Sequence, residues 1–273
     1  QRVRRPTEVE SRLGIPFFIA MPLVGTVSLW RERRRRTAER KKLSQGKPKT
    51  EHPFPIEATD ADISTLNPFY ETLRDRMLHY FESRDVGHKP KLIAVTSIDQ
   101  KAGVSSLATG LSRSLSYSQE DNVLLVDLTG RNGTALQFRQ GEPLPSVQNL
   151  GEIGEAADSL GQSLMMVTEQ GNSAELSRHL PSRFNKLVPW LKTSDFDYII
   201  FDMPPVNQIS ITPRLAGFMD MVLLVLESEK TDREMAKRAG KLLRVSQPNI
   251  AAVLNKTRNY VPKRLHREFS LTH

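Results

Sequence analysis

The chain has 273 residues, with 39 Lys/Arg against 31 Asp/Glu and no cysteine. That length allows one sizeable α/β core or two small domains, and the missing cysteines exclude disulfides and thiolate metal sites. The charge is uneven: residues 1–50 hold 14 basic and 4 acidic residues, whereas 51–273 hold 25 and 27, so the basic character belongs to the N-terminal segment.

The first residue is Gln, and no small-residue cleavage site follows a short apolar core. The start is therefore expected to be that of a fragment or processed product, not a secretory leader. Residues 13–30, LGIPFFIAMPLVGTVSLW, carry no charge. As a helix they would span about 27 Å, barely a bilayer. Pro16 and Pro22 oppose a helix in water but are tolerated in a membrane. Composition leaves a strand-and-loop and a membrane-inserted segment both open. RERRRR (31–36) would be the inside flank of an inserted segment. With RKK (40–42) it suits anionic lipid headgroups or nucleic acid, the alternative being a solvated linker. Residues 37–58 are rich in Lys, Ser and Pro and read as linker.

Between 67 and 83 the spacing of Phe69, Leu73, Met77, Tyr80 and Phe81 predicts a helix. From 91 onward short apolar runs alternate with helical patterns. The runs are 91–97, 122–128, 164–168, 198–202, 221–227 and 250–255, and the helical patterns are 104–117, 180–192 and 231–245. Near-continuous Val/Ile/Leu strands mean burial on both faces, hence an α/β fold with a doubly wound, mostly parallel sheet. The expected organisation is a basic juxtamembrane segment and linker over 1–58, an α/β domain over 59–260 and a basic tail over 261–273. The six histidines are scattered and show no metal-ligand spacing.

Three stretches carry the chemistry. A loop over 98–105 reads I-D-Q-K-A-G-V-S between a strand and a helix, where a phosphate-cradling loop would read G-x-x-x-x-G-K-[ST]. LLVDLTGR (124–131) places Asp127 at a strand end, and FDYIIFDMPPV (196–206) places Asp202 at another. Singly each is weak. Together, in this order, the set resembles the cytoplasmic domain of bacterial tyrosine kinases (BY-kinases). These belong to the polysaccharide co-polymerase family, which controls exopolysaccharide chain length and export, within the Min/Par group of P-loop ATPases. RPTEVESRLGIPFFIAMP (5–22) is similar to the segment just inside that family's second membrane helix. FYETLRDRM (69–77) is similar to its E-x-x-R helix, and VLNK (253–256) to the late strand whose Asn reads adenine. The resemblance spans roughly residues 4–260. It implies a strand and loop for 13–30, with membrane helices upstream.

The resemblance also implies site residues. Gly103, Val104, Ser105, Ser106 and Asn255 occupy the nucleotide-binding positions, Ser105, Asp127 and Asp202 the candidate magnesium positions, and Glu71 and Arg74 an oligomer interface. The departures fall on those positions. Val104 stands where the phosphate lysine belongs, and Asp99 adds negative charge beside it. Ile98 replaces a glycine with a β-branched residue, which resists positive φ. Thr129 replaces the second acid of D-x-D, and 203–219 hold no acid. Lys101 leaves the loop from the wrong position to replace the missing cation. The family's C-terminal tyrosine cluster is reduced to Tyr260 in a basic tail, while Tyr70, Tyr80 and Tyr198 are expected to pack.

The expected function is a catalytically degenerate kinase-like domain at the cytoplasmic face of the bacterial inner membrane. It would be an assembly and docking module under a transmembrane ring of the same protein, serving the polysaccharide polymerase and export machinery, with the anionic membrane surface as a further partner. Two alternatives stand beside it. One is an active or nucleotide-binding tyrosine kinase or ATPase using ATP and Mg²⁺ through a deviant loop. The other is a regulator that binds nucleic acid through the basic arm, which the absence of interleaved aromatics disfavours.

Overall fold

The computed structural model describes residues 1–23, 60–118, 121–129, 158–159, 164–168, 184–185, 187–207, 211–246 and 249–258. The basic run 31–42, the linker and Tyr260 with its tail lie outside them. An eight-stranded sheet forms the centre: β1 (Phe17–Pro22), β2 (Lys91–Ser97), β3 (Val123–Asp127), β4 (Asp158–Ser159), β5 (Leu164–Thr168), β6 (Tyr198–Asp202), β7 (Met221–Glu227) and β8 (Ile250–Thr257). Its order is β1-β8-β7-β2-β6-β3-β5-β4. All pairings are parallel except the short β4 with β5. The doubly wound, mostly parallel sheet read from the sequence is the observed fold.

Helices cover both faces, which is why β2, β3, β6 and most of β7 are buried along their length. Alternate residues go to opposite sides: Leu92 and Ala94 join one apolar cluster, Ile93 and Val95 the other. On the second side lie α2 (Asp60–Ser83) and α3 (Val104–Ser118). Tyr70, Leu73, Met77 and Phe81 of α2 share the inward stripe that the 3.6-residue period dictates. Tyr80 packs edge-on against Phe18 at 5.7 Å, so Tyr70, Tyr80 and Tyr198 are packed residues, as expected. Helix α2 begins at Asp60, before the expected 67, and runs through Pro68.

The first side carries the N-terminal turn, α1 (Pro6–Glu8) continued as a π turn over Val9–Leu13, together with α4 (Thr212–Ala216) and α5 (Arg233–Ser246). Asp232 caps α5 by accepting the N–H groups of Glu234 at 2.9 Å and Met235 at 3.2 Å. The Met235 bond and the chain's own amino terminus hold its carboxyl below the usual range. Val3, Val9, Leu13 and Ile15 are buried against this layer. Ile15 reaches Gly240 of α5 so closely that a Cβ there would lie 3.0 Å from Ile15 Cδ1. Residues 1–23 thus belong to the packed body, and the expected boundary at 58 does not mark where that body begins. Residues 17–22 form a strand of the sheet, the strand-and-loop alternative for this part of 13–30. As an edge strand β1 is guarded: the Arg76 guanidinium donates to Phe18 O, and Glu10 Oε1 accepts Phe17 N–H at 3.3 Å.

Candidate functional site: the loop after β2

β2, β3, β6, β7 and β8 all deliver their C-terminal ends to one edge of the sheet, the place where open α/β sheets bind ligands. The loop 98–103 leaves β2 there and enters α3. Gly103 takes φ +96°, and Leu107 N–H bonds Gly103 O at 3.0 Å as the helix opens. Lys101 takes φ +65°, a left-handed conformation that an L side chain adopts at a cost.

The expected nucleotide-binding positions do come together here. Val104, Ser105 and Ser106 form the first turn of α3, and Asn255 arrives from β8. What surrounds them differs from an open phosphate cradle. The Asn255 Nδ2 donates to Ala102 O at 2.8 Å, and Asn255 Oδ1 accepts Lys256 N–H at 2.8 Å. Both ends of that carboxamide are therefore engaged within the protein. Its Nδ2 also fills the space over Gly103, where a Cβ would lie 2.3 Å away. Val104 packs against the apolar cluster under α2 and α3. Lys101 is exposed, and its carbonyl accepts the Lys256 ammonium at 2.5 Å.

Asp127 and Asp202 are cross-strand neighbours in the β3–β6 register, and both are fully buried. Asp127 Oδ1 accepts the Thr129 N–H at 2.8 Å and the Thr129 hydroxyl at 2.6 Å. The residue that replaces the second acid of D-x-D has turned back onto the first. Beyond Asp202, Pro204 O accepts the hydroxyls of Thr96 at 2.8 Å and Thr212 at 2.7 Å, fixing the PPV segment against β2. Among the described residues no group of three or more His, Asp or Glu is arranged to hold a metal ion.

Three residues at this edge escape sequence reasoning. Thr231 is 1% exposed; its hydroxyl donates to Asp99 Oδ2 and accepts Glu227 N–H at 2.9 Å. Glu227 ends β7 and takes the Lys256 ammonium at 3.2 Å. Lys256, at φ +58°, joins Glu227 to the loop. A signal existed for Lys256, which follows Asn255 in VLNK; none pointed to Thr231.

The expected interface pair does not form as an ion pair. Arg74 meets Asp75 at 2.7 Å and donates to Ser114 O at 3.2 Å, while Glu71 is exposed. Arg74 binds α2 to α3. Arg76, one place off the family's pattern, serves the β1 edge instead.

Comparison with known proteins finds similar chains and similar folds. The chain is 25% identical over 185 residues to the tyrosine-protein kinase CpsD of Streptococcus agalactiae serotype III, covering 64% of this chain and 78% of that one. It is 27% identical over 196 residues to the tyrosine-protein kinase YwqD of Bacillus subtilis, covering 68% and 79%. The kinase domain of Escherichia coli tyrosine kinase ETK superposes with a TM-score of 0.69 at 18% identity, covering 96% of this chain and 97% of that one. The BceF tyrosine kinase domain gives 0.61 at 19% identity, covering 93% and 99%. No protein-family model matches the chain.

Proposed function

We propose that this BY-kinase-like member of the P-loop superfamily is a catalytically degenerate domain, an assembly and docking module of a membrane polysaccharide co-polymerase. The observation that carries the reading is the loop after β2. It keeps the strand–loop–helix position of a phosphate site, yet its cation position is an apolar Val104 and its glycine is covered by Asn255. A working site needs a lysine on the β/γ oxygens, free backbone N–H groups and a metal-holding carboxylate pair. Here Asp99 brings a carboxylate to the loop, and Asp127 faces Thr129. These residues do not fit ATP·Mg²⁺ as the family's site does.

The similarity to tyrosine kinases supports this reading, and the resemblance of residues 5–22 and 69–77 supports a place beneath a membrane ring at the cytoplasmic face. With phosphoryl transfer unsupported by the loop, the retained architecture serves contacts with the ring and with the polymerase and export machinery.

A calorimetric titration with ATP·Mg²⁺ tests the reading. A lost lysine–phosphate contact is worth about 1.5–3 kcal/mol, a roughly ten- to hundredfold weakening before the Asp99 repulsion is counted. The expected result is no heat of binding at micromolar nucleotide and no phosphotyrosine after incubation with ATP. Micromolar affinity, or phosphate on Tyr260, overturns it in favour of the active kinase.

A further inference from the structure

The outer face of α5 is strongly basic. Lys237, Arg238, Lys241 and Arg244 are all exposed. The N-terminal turn lies alongside: Glu8 pairs with Arg233 at 2.8 Å at one end, and Arg244 donates to Gly14 O at the other. The exposed Arg5 and Arg12 belong to this turn. Glu234 and Glu10 are the exposed acids of these two segments, and Glu10 is engaged with Phe17 N–H. Among the described residues no ion pair neutralises Arg5, Arg12, Lys237, Arg238 or Lys241. This density stands on a chain whose residues 51–273 hold 25 basic and 27 acidic residues.

Apolar side chains stand among these cations. Val245 is 86% exposed and Met235 49% exposed. On a helix of 3.6 residues per turn, Met235, Arg238, Lys241 and Val245 follow one another along one outward side, opposite the buried Ala236, Ala239 and Leu243. The helix therefore presents two faces, an inward one of small and aliphatic residues and an outward one that mixes cations with bare hydrocarbon.

We infer that the outer face of α5, with the N-terminal turn beside it, is a docking surface for an anionic lipid bilayer. Cations are drawn to acidic headgroups, and Val245 and Met235 gain by leaving water at the headgroup–acyl boundary. A nucleic acid would use the same charge but rewards aromatic platforms, of which this face has none, and leaves the two apolar side chains without a partner. The surface is part of the folded domain, and the basic run 31–36 follows β1 in the sequence, outside the described residues. The inference rests on the membrane-proximal part of the proposed function and is separable from the nucleotide titration.

The test uses the full chain and vesicles of phosphatidylcholine with or without phosphatidylglycerol, read by co-sedimentation at low and high salt. The Lys237→Gln, Arg238→Gln, Lys241→Gln triple variant is expected to bind acidic vesicles at least about tenfold more weakly, since each lost cation removes part of the headgroup attraction. Val245→Ser is expected to weaken binding about threefold or more even at high salt, where charge is screened. Thermal melts confirm that the variants fold. If the triple variant does not, Lys241→Gln with Val245→Ser is read instead, and less than about a twofold loss overturns the proposal. Wild-type binding by the triple variant, with loss on neutralising Arg33 to Arg36, assigns the attraction to the basic run and overturns it. Tighter binding to a DNA duplex than to acidic vesicles at equal salt also overturns it, in favour of nucleic acid.

Discussion

The Thr231 hydroxyl donates to Asp99 Oδ2 across 3.1 Å and joins the turn after β7 to the loop after β2. The same turn is held on its other side by the N-terminus. Val3 N–H bonds Thr231 O at 2.9 Å, and Glu229 N–H bonds Val3 O at 2.8 Å. The first residues of the chain, the β7 turn and the loop after β2 are therefore one hydrogen-bonded unit. Thr231→Val keeps the shape but removes the donor to Asp99 and the acceptor for Glu227 N–H. Leaving a buried N–H unmet costs about 1–3 kcal/mol. Urea denaturation should report that loss; a change within about 0.3 kcal/mol, well below the cost of an unmet buried group, would remove the unit from the account.

Placing a lysine at position 104 should not by itself create a nucleotide site. Val104→Lys returns the cation but leaves Asp99, the Asn255 cover and Thr129 in place, and it withdraws an apolar side chain from the cluster under α3. The expected outcome is a less stable domain that still gives no heat with micromolar ATP. Recovery of micromolar affinity by this single change would mean that the loop is otherwise intact.

The α2–α3 contact is set by one glycine. A Cβ at Gly110 would lie 2.2 Å from the Tyr70 ring, and that ring is buried. Overpacking at such a site costs about 1–3 kcal/mol. Gly110→Ala should show it in denaturation, and adding Tyr70→Leu should return part of the loss. Equal stability of Gly110→Ala and wild type would show that the helices separate freely.

Much of this fold is legible in the sequence, for a physical reason. Strands buried on both faces must be apolar at nearly every position, so 91–97, 198–202 and 221–227 announce themselves with their observed bounds. The N-terminus is less transparent. Its arginines dominate the composition, while the residues that bury, Val3, Val9, Leu13 and Ile15, are few and widely spaced. Pro68 resembles a helix start, yet α2 runs through it. Ser105, Asp127, Asp202 and Asn255 draw attention in the sequence because their types and spacing match a motif. Thr231 was not, because its partner Asp99 lies 132 residues away and no local pattern links them.

The opposite end of the sheet holds a buried carboxyl, Asp121. Asp121 is 9% exposed, and burial, then the neighbouring Asp197, push its carboxyl above the usual range, while Lys89 partly offsets them. Burial first, then the same two carboxylates, raise the Tyr198 phenol to about 12. A carboxyl with a raised folded pKa keeps its proton longer in the folded state. Its cost to stability is absent below the unfolded value, grows as pH rises to the folded value and is constant above it. Asp121→Asn removes that charge and gives up a contact with Lys89, an exposed lysine whose pairing is worth little. The variant should melt above wild type at pH 7, with the difference shrinking toward about pH 4, near the unfolded value. A constant difference across that range would place the effect in packing, not in charge.

The proposed assembly role can be separated from folding on α2 itself. Arg74 is 17% exposed at its side chain and donates to Ser114 O at 3.2 Å, so it helps hold α2 on α3. Arg74→Ala should cost about 1 kcal/mol in the isolated domain, the worth of a typical hydrogen bond. Glu71 is exposed, and Glu71→Ala should leave stability within about 0.5 kcal/mol, as surface changes do. Arg74 is therefore a poor probe of assembly, because its loss disturbs the fold. Glu71→Lys is the cleaner one. A closed ring needs a heterologous contact, in which this helix meets a different patch on the next subunit, and reversing one exposed charge weakens such a contact without touching the core. In the membrane co-polymerase proposed above, Glu71→Lys should shift the assembly to smaller species by mass measurement and alter polymer length. Unchanged assembly and polymer length, alongside an unchanged melt of the isolated domain, would leave Glu71 a solvated residue and withdraw the interface from this helix.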